Sequence, residues 1–278
     1  MRVAAVTVTS GRSAGIAYRE AGPPDAPALV FLHGIGGAAR LWDHQLAAFA
    51  GEFRAVAWDM PGYGGSAPLD AVTIAGLAEA LAGFLDRLAL RATVLVGHSI
   101  GGMIVQQILA RRPEGLRAAV LAQTSAAFGR PDGAWQQAFI AARLGPLDAG
   151  ASLPELADGI VAELVGPAAD PEGVALARAC MAAVPEGTYR ATVRALLGFD
   201  LRAALPGIAV PTLVLAGSHD TNAPAAVMER MAQRIPGAAY ACLPGTGHLA
   251  NAEQPAAFDA ALRGFLSDLD RPGSAADG

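Results

Sequence analysis

The feature that most constrains the fold of this chain is one serine between two glycines, with an apolar run before it and a helix-like run after it. Residues 93–96 are apolar and β-branched, Ser99 stands between Gly97 and Gly101, and residues 103–111 have helical character. A strand, a sharp turn and a helix in direct succession leave the serine in a strained backbone conformation that raises its hydroxyl above a sheet. A side chain at either glycine would collide with the turn.

The helix predicted after Ser99 indicates a chemical role for this serine. Its first turn carries unpaired backbone N–H groups and the positive end of the helix dipole, which together stabilise a negatively charged oxygen. Ser99 is therefore a candidate nucleophile. On this stretch alone, a plain Gly/Ser turn without a chemical role stays open as the alternative.

Length and composition favour a single large core and argue against several kinds of partner. The 278 residues are 53% hydrophobic and 16% charged, which is far from the composition of a disordered chain. The net charge is -5 and no basic run occurs, so we expect no nucleic-acid partner. Cys180 and Cys242 have no metal-type spacing, and we expect free thiols, with a single disulfide as the alternative. No apolar stretch reaches membrane-spanning length and the first residues lack the apolar centre of a signal peptide, so we expect a cytoplasmic protein without a membrane partner.

Short apolar strands alternate with helical runs along most of the chain. We predict a hairpin from strands 3–8 and 16–19, joined by residues 10–13, followed by strands at 28–32, 54–58, 93–96, 116–121, 212–216 and 238–243. Helices are predicted at 41–49, 74–88, 103–111 and 255–267. This alternation predicts a mostly parallel sheet that is covered on both faces, with an antiparallel N-terminal edge.

Between residues 125 and 206 the strand pattern stops and four helices are predicted, at 133–144, 154–165, 171–184 and 187–197. A helical insertion after a strand that ends at the site edge would cover the site, and we refer to residues 125–206 as the cap. The alternative is a helical subdomain with no part in binding. The core then comprises residues 1–124 and 207–270, and we expect the tail 271–278 to be disordered.

A serine nucleophile needs a base, and that base needs an acid to orient it. His248 lies in the loop directly after the last predicted strand, and Asp220 lies in the loop directly after the strand before it. Ser99, Asp220 and His248 thus all fall at the carboxyl ends of strands, which meet at one edge of a parallel sheet. We predict that they form a catalytic triad, although an N-cap role for Asp220 and a loop role for His248 are the plainer alternatives.

The other four histidines are weaker candidates for the base. We expect His98 to pack or to bond locally, because adjacent side chains in such a turn diverge. We expect His33 to be structural and His44 to lie on a surface helix. His219, which lies beside Asp220, stays an alternative base.

Two backbone N–H groups are predicted to bind the oxyanion that forms when the serine attacks a carbonyl. One is the N–H of Ile100, directly after the nucleophile, and the other is the N–H of Ile35, in a loop that Gly34 and Gly36 allow to turn tightly. Loss of one such donor typically costs about 3 kcal/mol of transition-state stabilisation.

At these positions the chain resembles the α/β-hydrolase superfamily over essentially its whole length. The resemblance rests on His33-Gly34-Ile35-Gly36, Asp59-Met60-Pro61-Gly62-Tyr63-Gly64-Gly65-Ser66, Gly97-His98-Ser99-Ile100-Gly101-Gly102, Gly217-Ser218-His219-Asp220 and Gly247-His248. It implies an α/β-hydrolase fold, with a mostly parallel eight-stranded sheet, helices on both faces and a helical cap inserted after strand six. It also implies that Asp59 is structural rather than catalytic.

Within the superfamily, the single cap and the Gln123-Thr124-Ser125 stretch most resemble the 3-oxoadipate enol-lactonases and related small esterases. Those lactonases tend to carry a basic residue shortly after this position, whereas this chain has Ala126-Ala127-Phe128. Arg143 in the cap is a candidate for the missing charge, and a solvated surface arginine is the alternative.

The sequence therefore predicts a serine hydrolase that cleaves a small carboxylic ester or lactone through an acyl-enzyme, with no cofactor and no metal. A carbon–carbon bond hydrolase or a perhydrolase would use the same triad. A receptor of the same fold that binds a small molecule without turnover stays open as well. The run Gly34-Ile35-Gly36-Gly37, with Asp59 at the end of the next strand, also permits a dinucleotide-binding protein. The acyl group, the leaving group, the oligomeric state and the pathway are not determined by the sequence.

Overall fold

The computed structural model describes residues 6–111, 114–130 and 132–271. Within these residues, eight strands form one sheet. They are β1 (Thr9–Ser13), β2 (Ile16–Ala21), β3 (Ala28–Leu32), β4 (Arg54–Trp58), β5 (Thr93–His98), β6 (Leu116–Ala122), β7 (Thr212–Gly217) and β8 (Ala239–Leu243). The strand order is β1-β2-β4-β3-β5-β6-β7-β8. β1 and β2 pair antiparallel, β2 joins β4 antiparallel, and all the other pairs are parallel, which confirms the predicted fold class.

Helices cover both faces of the sheet and also fill the segment between β6 and β7. They are α1 (Asp43–Phe49), α2 (Ile74–Arg87), α3 (Ile100–Leu109), α4 (Ala134–Asp148), α5 (Leu153–Leu164), α6 (Pro171–Ala182), α7 (Glu186–Ala195), α8 (Ala225–Ala232), α9 (Ala250–Glu253) and α10 (Pro255–Leu269). The four predicted cap helices correspond to α4 to α7, whereas α8 and α9 were not predicted. None of the helices in the described ranges is both long and apolar enough to cross a bilayer.

Alternation along the central strands explains why two separate helix layers form. In β3, Leu29 and Phe31 face a core with α1 and α10, while Val30 and Leu32 face a core with α2, α3 and the cap. All four side chains are fully buried. Apolar side chains on both faces of a strand are buried only if helices cover each face of the sheet. The continuous apolar runs therefore predict this arrangement of helices, sheet and helices.

The N-terminal hairpin differs from the prediction. Strand β1 occupies residues that were assigned to the connecting loop, residues 6–8 are not in a strand, and residues 1–5 lie outside the described part of the chain. The turn consists of Ala14 and Gly15, which have φ values of 44° and 84° and close a two-residue hairpin. The prediction followed the apolar run, but β1 is a mostly exposed edge strand that does not need one. The predicted tail likewise falls outside the described residues, apart from Arg271.

The strand order and the contacts of Asp59 do not support the alternative of a dinucleotide-binding protein. The strand order differs from the 3-2-1-4-5-6 order of dinucleotide-binding folds. The Asp59 carboxylate also has backbone partners of its own, since it accepts from Ala39 N at 2.7 Å and from Gly65 N at 3.5 Å. Asp59 thus holds two loops together, which agrees with its expected structural role.

Substitution of Phe31 tests the layer between the sheet, α1 and α10. The Phe31 ring is stacked on Trp42 at a centroid distance of 5.0 Å and is fully buried. We expect Phe31→Ala to lower the free energy of unfolding by about 3 to 5 kcal/mol, because a buried cavity replaces the ring. Urea denaturation measures the change, with exposed Val6→Ala as a control that stays within about 0.5 kcal/mol. Equal losses in the two variants would contradict this assignment of the core.

Candidate active site

Ser99 lies at the tip of a strained turn between β5 and α3. Its φ and ψ are 55° and -121°, a region that non-glycine residues rarely adopt. A Cβ on Gly97 would lie 2.5 Å from the Gly101 carbonyl oxygen, and a Cβ on Gly101 would lie 2.5 Å from the Leu32 carbonyl oxygen. Both glycines are therefore required by close backbone packing, as the sequence predicts.

The structure brings together the three residues of the predicted triad. The Ser99 hydroxyl lies 3.0 Å from His248 Nε2, and His248 Nδ1 lies 2.8 Å from Asp220 Oδ2. Each residue follows a strand, namely β5, β7 and β8, and the parallel order of these strands brings the three loops to one edge. His219, the alternative base, is exposed, and its Nδ1 lies 3.0 Å from the Ser218 hydroxyl.

Asp220 is held as a carboxylate by its surroundings. Burial by itself raises the pKa of Asp220, but the charge of His248, the hydrogen bond from His248 and two backbone hydrogen bonds together lower it more. The other carboxylate oxygen accepts hydrogen bonds from Asn222 N at 2.8 Å and Ala223 N at 3.0 Å. The net result is a pKa below the usual aspartate value, so Asp220 is ionised at neutral pH.

The predicted oxyanion donors lie beside Ser99. Ile100 is the first residue of α3, and Ile35 lines the same cavity as Ser99 and His248. In the described part of the chain, neither N–H has a hydrogen-bond acceptor. The cap also contacts this loop, because the Met181 side chain occupies the space that a Cβ on Gly36 would take.

His98 is packed in the interior, which is one of the two expected outcomes, but its hydrogen bond is made across the fold and not locally. Its Nε2 lies 2.6 Å from the His248 carbonyl oxygen, across 150 positions of sequence. Because a carbonyl oxygen only accepts, Nε2 carries the proton and Nδ1 does not. Burial, reinforced by the charge of His248, lowers the pKa of His98 to about 3. His98 is therefore a neutral donor that positions the backbone of His248. The short distance between the two loops, which local sequence does not encode, made this contact unpredictable.

His33 and His44 lie where the sequence places them. His33 is fully buried, with Nδ1 2.8 Å from the Gly34 carbonyl oxygen, and its Nε2 accepts a hydrogen bond from Met60 N at 3.0 Å. His33 thus links two loops, as expected of a structural residue. His44 is half exposed on α1, 3.2 Å from the Asp259 carboxylate.

A cavity of about 340 Å³ lies above Ser99 and His248, and the cap forms much of its wall. Side chains of the cap therefore line the same cavity as Ser99 and His248. Most of the lining is apolar, and the cap contributes Phe128, Trp135, Phe139, Ile160, Leu164, Met181, Val193 and Leu196. This size and composition suit a small molecule with an apolar portion.

Arg143 on α4 is the only permanently charged side chain among the described residues that line the cavity. Its side chain is 14% exposed and pairs through one nitrogen with Glu163, which is 69% exposed, at 3.1 Å. Its guanidinium also lies 5.4 Å from the centre of the Phe139 ring. Arg143 is therefore a largely buried cation at the cavity and not a solvated surface arginine.

Tyr189 on α7 is a cavity residue that the sequence analysis missed. It is almost fully buried and lines the cavity. Burial raises the pKa of Tyr189, and the positive charge of Arg143 partly opposes that rise, so the phenol is neutral and lies within the field of the guanidinium. The sequence signal that could have indicated Tyr189 is that it is the single aromatic residue of α7.

Comparison with known proteins agrees with this geometry. Residues 29–261 match the family model described as "Alpha/beta hydrolase family". A protein named "Putative carbamate hydrolase RutD" from Variovorax paradoxus is 34% identical over 92% of this chain and 97% of that protein. The 3-oxoadipate enol-lactonase 1 of Acinetobacter baylyi is 27% identical over 95% of this chain and 97% of that protein.

A solved structure of similar fold supports the same assignment. The enol-lactonase from Burkholderia xenovorans LB400 has a TM-score of 0.81 and 29% sequence identity, with coverage of 93% of this chain and 100% of that one. The sheet order, the serine turn and the match to the family model lead to one conclusion. This chain is a member of the alpha/beta hydrolase family.

Proposed function

We propose that this chain is a serine hydrolase that cleaves a small carboxylic ester or lactone through an acyl-enzyme. The observation that carries the proposal is the continuous hydrogen-bonded path from the Ser99 hydroxyl through His248 to Asp220, with Ser99 and His248 on a mostly apolar cavity. This arrangement supplies a nucleophile, a base and an orienting acid at one point.

In the proposed reaction, His248 Nε2 removes the proton of Ser99 while the serine oxygen bonds to the carbonyl carbon. The carbonyl electron pair moves to oxygen, and the N–H groups of Ile35 and Ile100 stabilise that oxyanion. When the bond to the leaving oxygen breaks, His248 returns the proton to it. Water then attacks the acyl-enzyme by the same steps and releases the acid. Asp220 orients His248 and stabilises its protonated form throughout.

His98 supports this cycle by remaining neutral. The rings of His98 and His248 have centroids 5.1 Å apart, so a proton on His98 would oppose the protonation of His248. Since the pKa of His98 is about 3, no such charge arises near neutral pH.

The cavity further supports a substrate that carries a carboxylate away from the bond that is cleaved. Arg143 uses one nitrogen for an exposed partner and has other N–H groups available for a planar anion. The Tyr189 hydroxyl is a second, neutral hydrogen-bond donor within the electrostatic field of Arg143. The relatives named as enol-lactonases and carbamate hydrolases make lactones and carbamates reasonable members of the substrate panel. Carbon–carbon bond cleavage and perhydrolysis use the same triad and belong in that panel too.

Removal of the nucleophile or the base tests the proposed chemistry. We expect Ser99→Ala and His248→Ala to lower kcat/KM for p-nitrophenyl acetate by about 10⁴-fold or more, because the triad acts as a unit. The matched control is His219→Ala, an exposed histidine that should leave the rate within about twofold. Near-normal turnover by His248→Ala would overturn the assignment of the base. Stoichiometric acylation of the wild type without turnover would instead support a receptor.

Arg143→Gln tests the proposed carboxylate contact. The substrates are the mono-p-nitrophenyl ester of adipic acid and its neutral counterpart of equal chain length, p-nitrophenyl hexanoate. We expect kcat/KM to fall about 10- to 100-fold for the anionic ester and less than threefold for the neutral one, since hydrogen bonds to charged groups contribute about 1.5 to 3 kcal/mol. Arg178→Gln, which removes another cap arginine paired with Asp158, is the control. An equal loss on both esters would exclude the contact.

The neutral state of His98 predicts a particular dependence of stability on pH. Its pKa in the folded chain is about 3, below the unfolded value of 6.5, so the unfolded state binds the proton first as pH falls. The associated stability is present above pH 6.5 and is lost toward pH 3, at about 1.4 kcal/mol per pH unit once the unfolded histidine is protonated. We expect His98→Gln to show a slope smaller by about this amount between pH 5.5 and 4.5, measured by urea denaturation. His219→Gln should keep the wild-type slope, and an unchanged slope in His98→Gln would contradict the buried neutral state.

A further inference from the structure

Glu253, the last residue of α9, has a buried carboxylate that touches both sides of the proposed base. Its Oε2 accepts a hydrogen bond from Gly247 N at 2.8 Å, and its Oε1 accepts one from Leu249 N at 2.8 Å. These are the residues directly before and after His248. Glu253 is 1% exposed, so water does not compete for these hydrogen bonds.

The same carboxylate also reaches the cap. Oε2 accepts a third hydrogen bond, at 2.7 Å, from the N–H of Gly166 in the segment between α5 and α6. The backbone of Glu253 continues this contact, since its carbonyl oxygen accepts from Asp170 N at 2.8 Å. The side chain of Glu253 thus joins the His248 loop to the segment between α5 and α6, and its backbone carbonyl reaches the residue before α6.

Backbone contacts around Glu253 show how closely this part of the cap fits the base. His248 N donates to the Leu164 carbonyl oxygen at 2.6 Å. A Cβ on Gly166 would lie 2.8 Å from Gly247 N, and a Cβ on Gly247 would lie 2.7 Å from Gly166 N. The cap and the His248 loop therefore meet backbone to backbone, and Glu253 is the side chain that satisfies the N–H groups between them.

The arrangement is unusual for a buried acid, because no cationic side chain among the described residues pairs with Glu253. Three backbone N–H groups take the place of a counterion, and each would be left without an acceptor if the carboxylate were lost. An amide in the same position has one accepting oxygen, and its NH₂ group would face an N–H donor.

We propose that Glu253 is a positioning residue that holds the backbone of His248 in register with the cap, so that the base is correctly placed only when the segment around Gly166 is seated. The proposal rests on the proposed function, in which His248 is the base. Misplacement of a catalytic group by about 1 Å can cost about 100-fold in rate, which sets the scale of the effect. Glu253 acts through His248 and does not touch the substrate.

The test compares Glu253→Gln with Glu172→Gln, in which the acid lies exposed on α6. We expect Glu253→Gln to lower kcat for p-nitrophenyl acetate about 10- to 100-fold while KM changes less than threefold. The rate constant for phosphonylation of Ser99 by a p-nitrophenyl phosphonate should fall by the same factor, because it needs the same base. Glu172→Gln should match the wild type in each measurement.

Amide hydrogen exchange gives a readout that does not depend on activity. In Glu253→Gln, the N–H groups of Gly166, Gly247 and Leu249 should exchange at least about tenfold faster than in the wild type. Glu253→Asp, which keeps the charge on a shorter side chain, should be intermediate, and it serves as the measured variant if Glu253→Gln does not fold.

Two results would overturn the proposal. One is a lower melting temperature with wild-type kcat and phosphonylation rate, which would make Glu253 purely structural. The other is unchanged exchange at Gly166, which would mean that Glu253 does not join the cap to the base. Failure of the proposed function is separate, since it would appear as turnover in Ser99→Ala whatever Glu253 does.

Discussion

The structure depends on one close approach of backbone to backbone, at the turn that carries Ser99. Gly101 packs against the carbonyl oxygen of Leu32 at the end of β3, and Gly97 packs against Gly101 itself. This approach fixes where α3 begins relative to the strand next to β5, and so it places the Ile100 N–H near the loop of Ile35. The positive φ of Ser99 is tolerated because packing on both sides prevents any other conformation. The sheet therefore provides rigidity, and the loops at its edge provide the chemistry.

Burial disfavours the charged form of both groups that flank His248, but their other contacts give opposite results. Asp220 is buried yet ionised, because His248 and two backbone N–H groups stabilise its charge. His98 is buried and neutral, because burial outweighs the hydrogen bond to the His248 carbonyl oxygen and the charge of Asp220, both of which favour a charged ring. The proposed base thus has a carboxylate on one side and a neutral donor on the other. These two contacts hold the ring and the backbone of His248 beside Ser99.

Much of the fold could be predicted because the physical signals are local. The periodicity and number of apolar residues predict the strands and helices, and the glycines around Ser99 predict the turn. The predicted bounds of β1 were wrong because Ala14 and Gly15 close the hairpin, which places residues 9–13 in the strand and leaves residues 6–8 outside it. Tyr189 and Glu253 were missed because their roles come from contacts across the fold. Glu253 meets Gly166 at a separation of 87 residues, and no spacing rule connects a buried acid with backbone N–H groups so far along the chain.

The contact of Met181 with Gly36 has a consequence for how this enzyme family can diversify. If a cap helix contacted only the substrate, it could be replaced by the cap of a relative. Substrate specificity would then change while the rate constant of the reaction stayed the same. In this chain the side chain of a cap residue fills the position beside the loop of Ile35. A graft of a foreign cap would therefore have to bring a side chain of the same shape at that point. A change of cap would then alter the packing against this loop as well as the lining of the cavity.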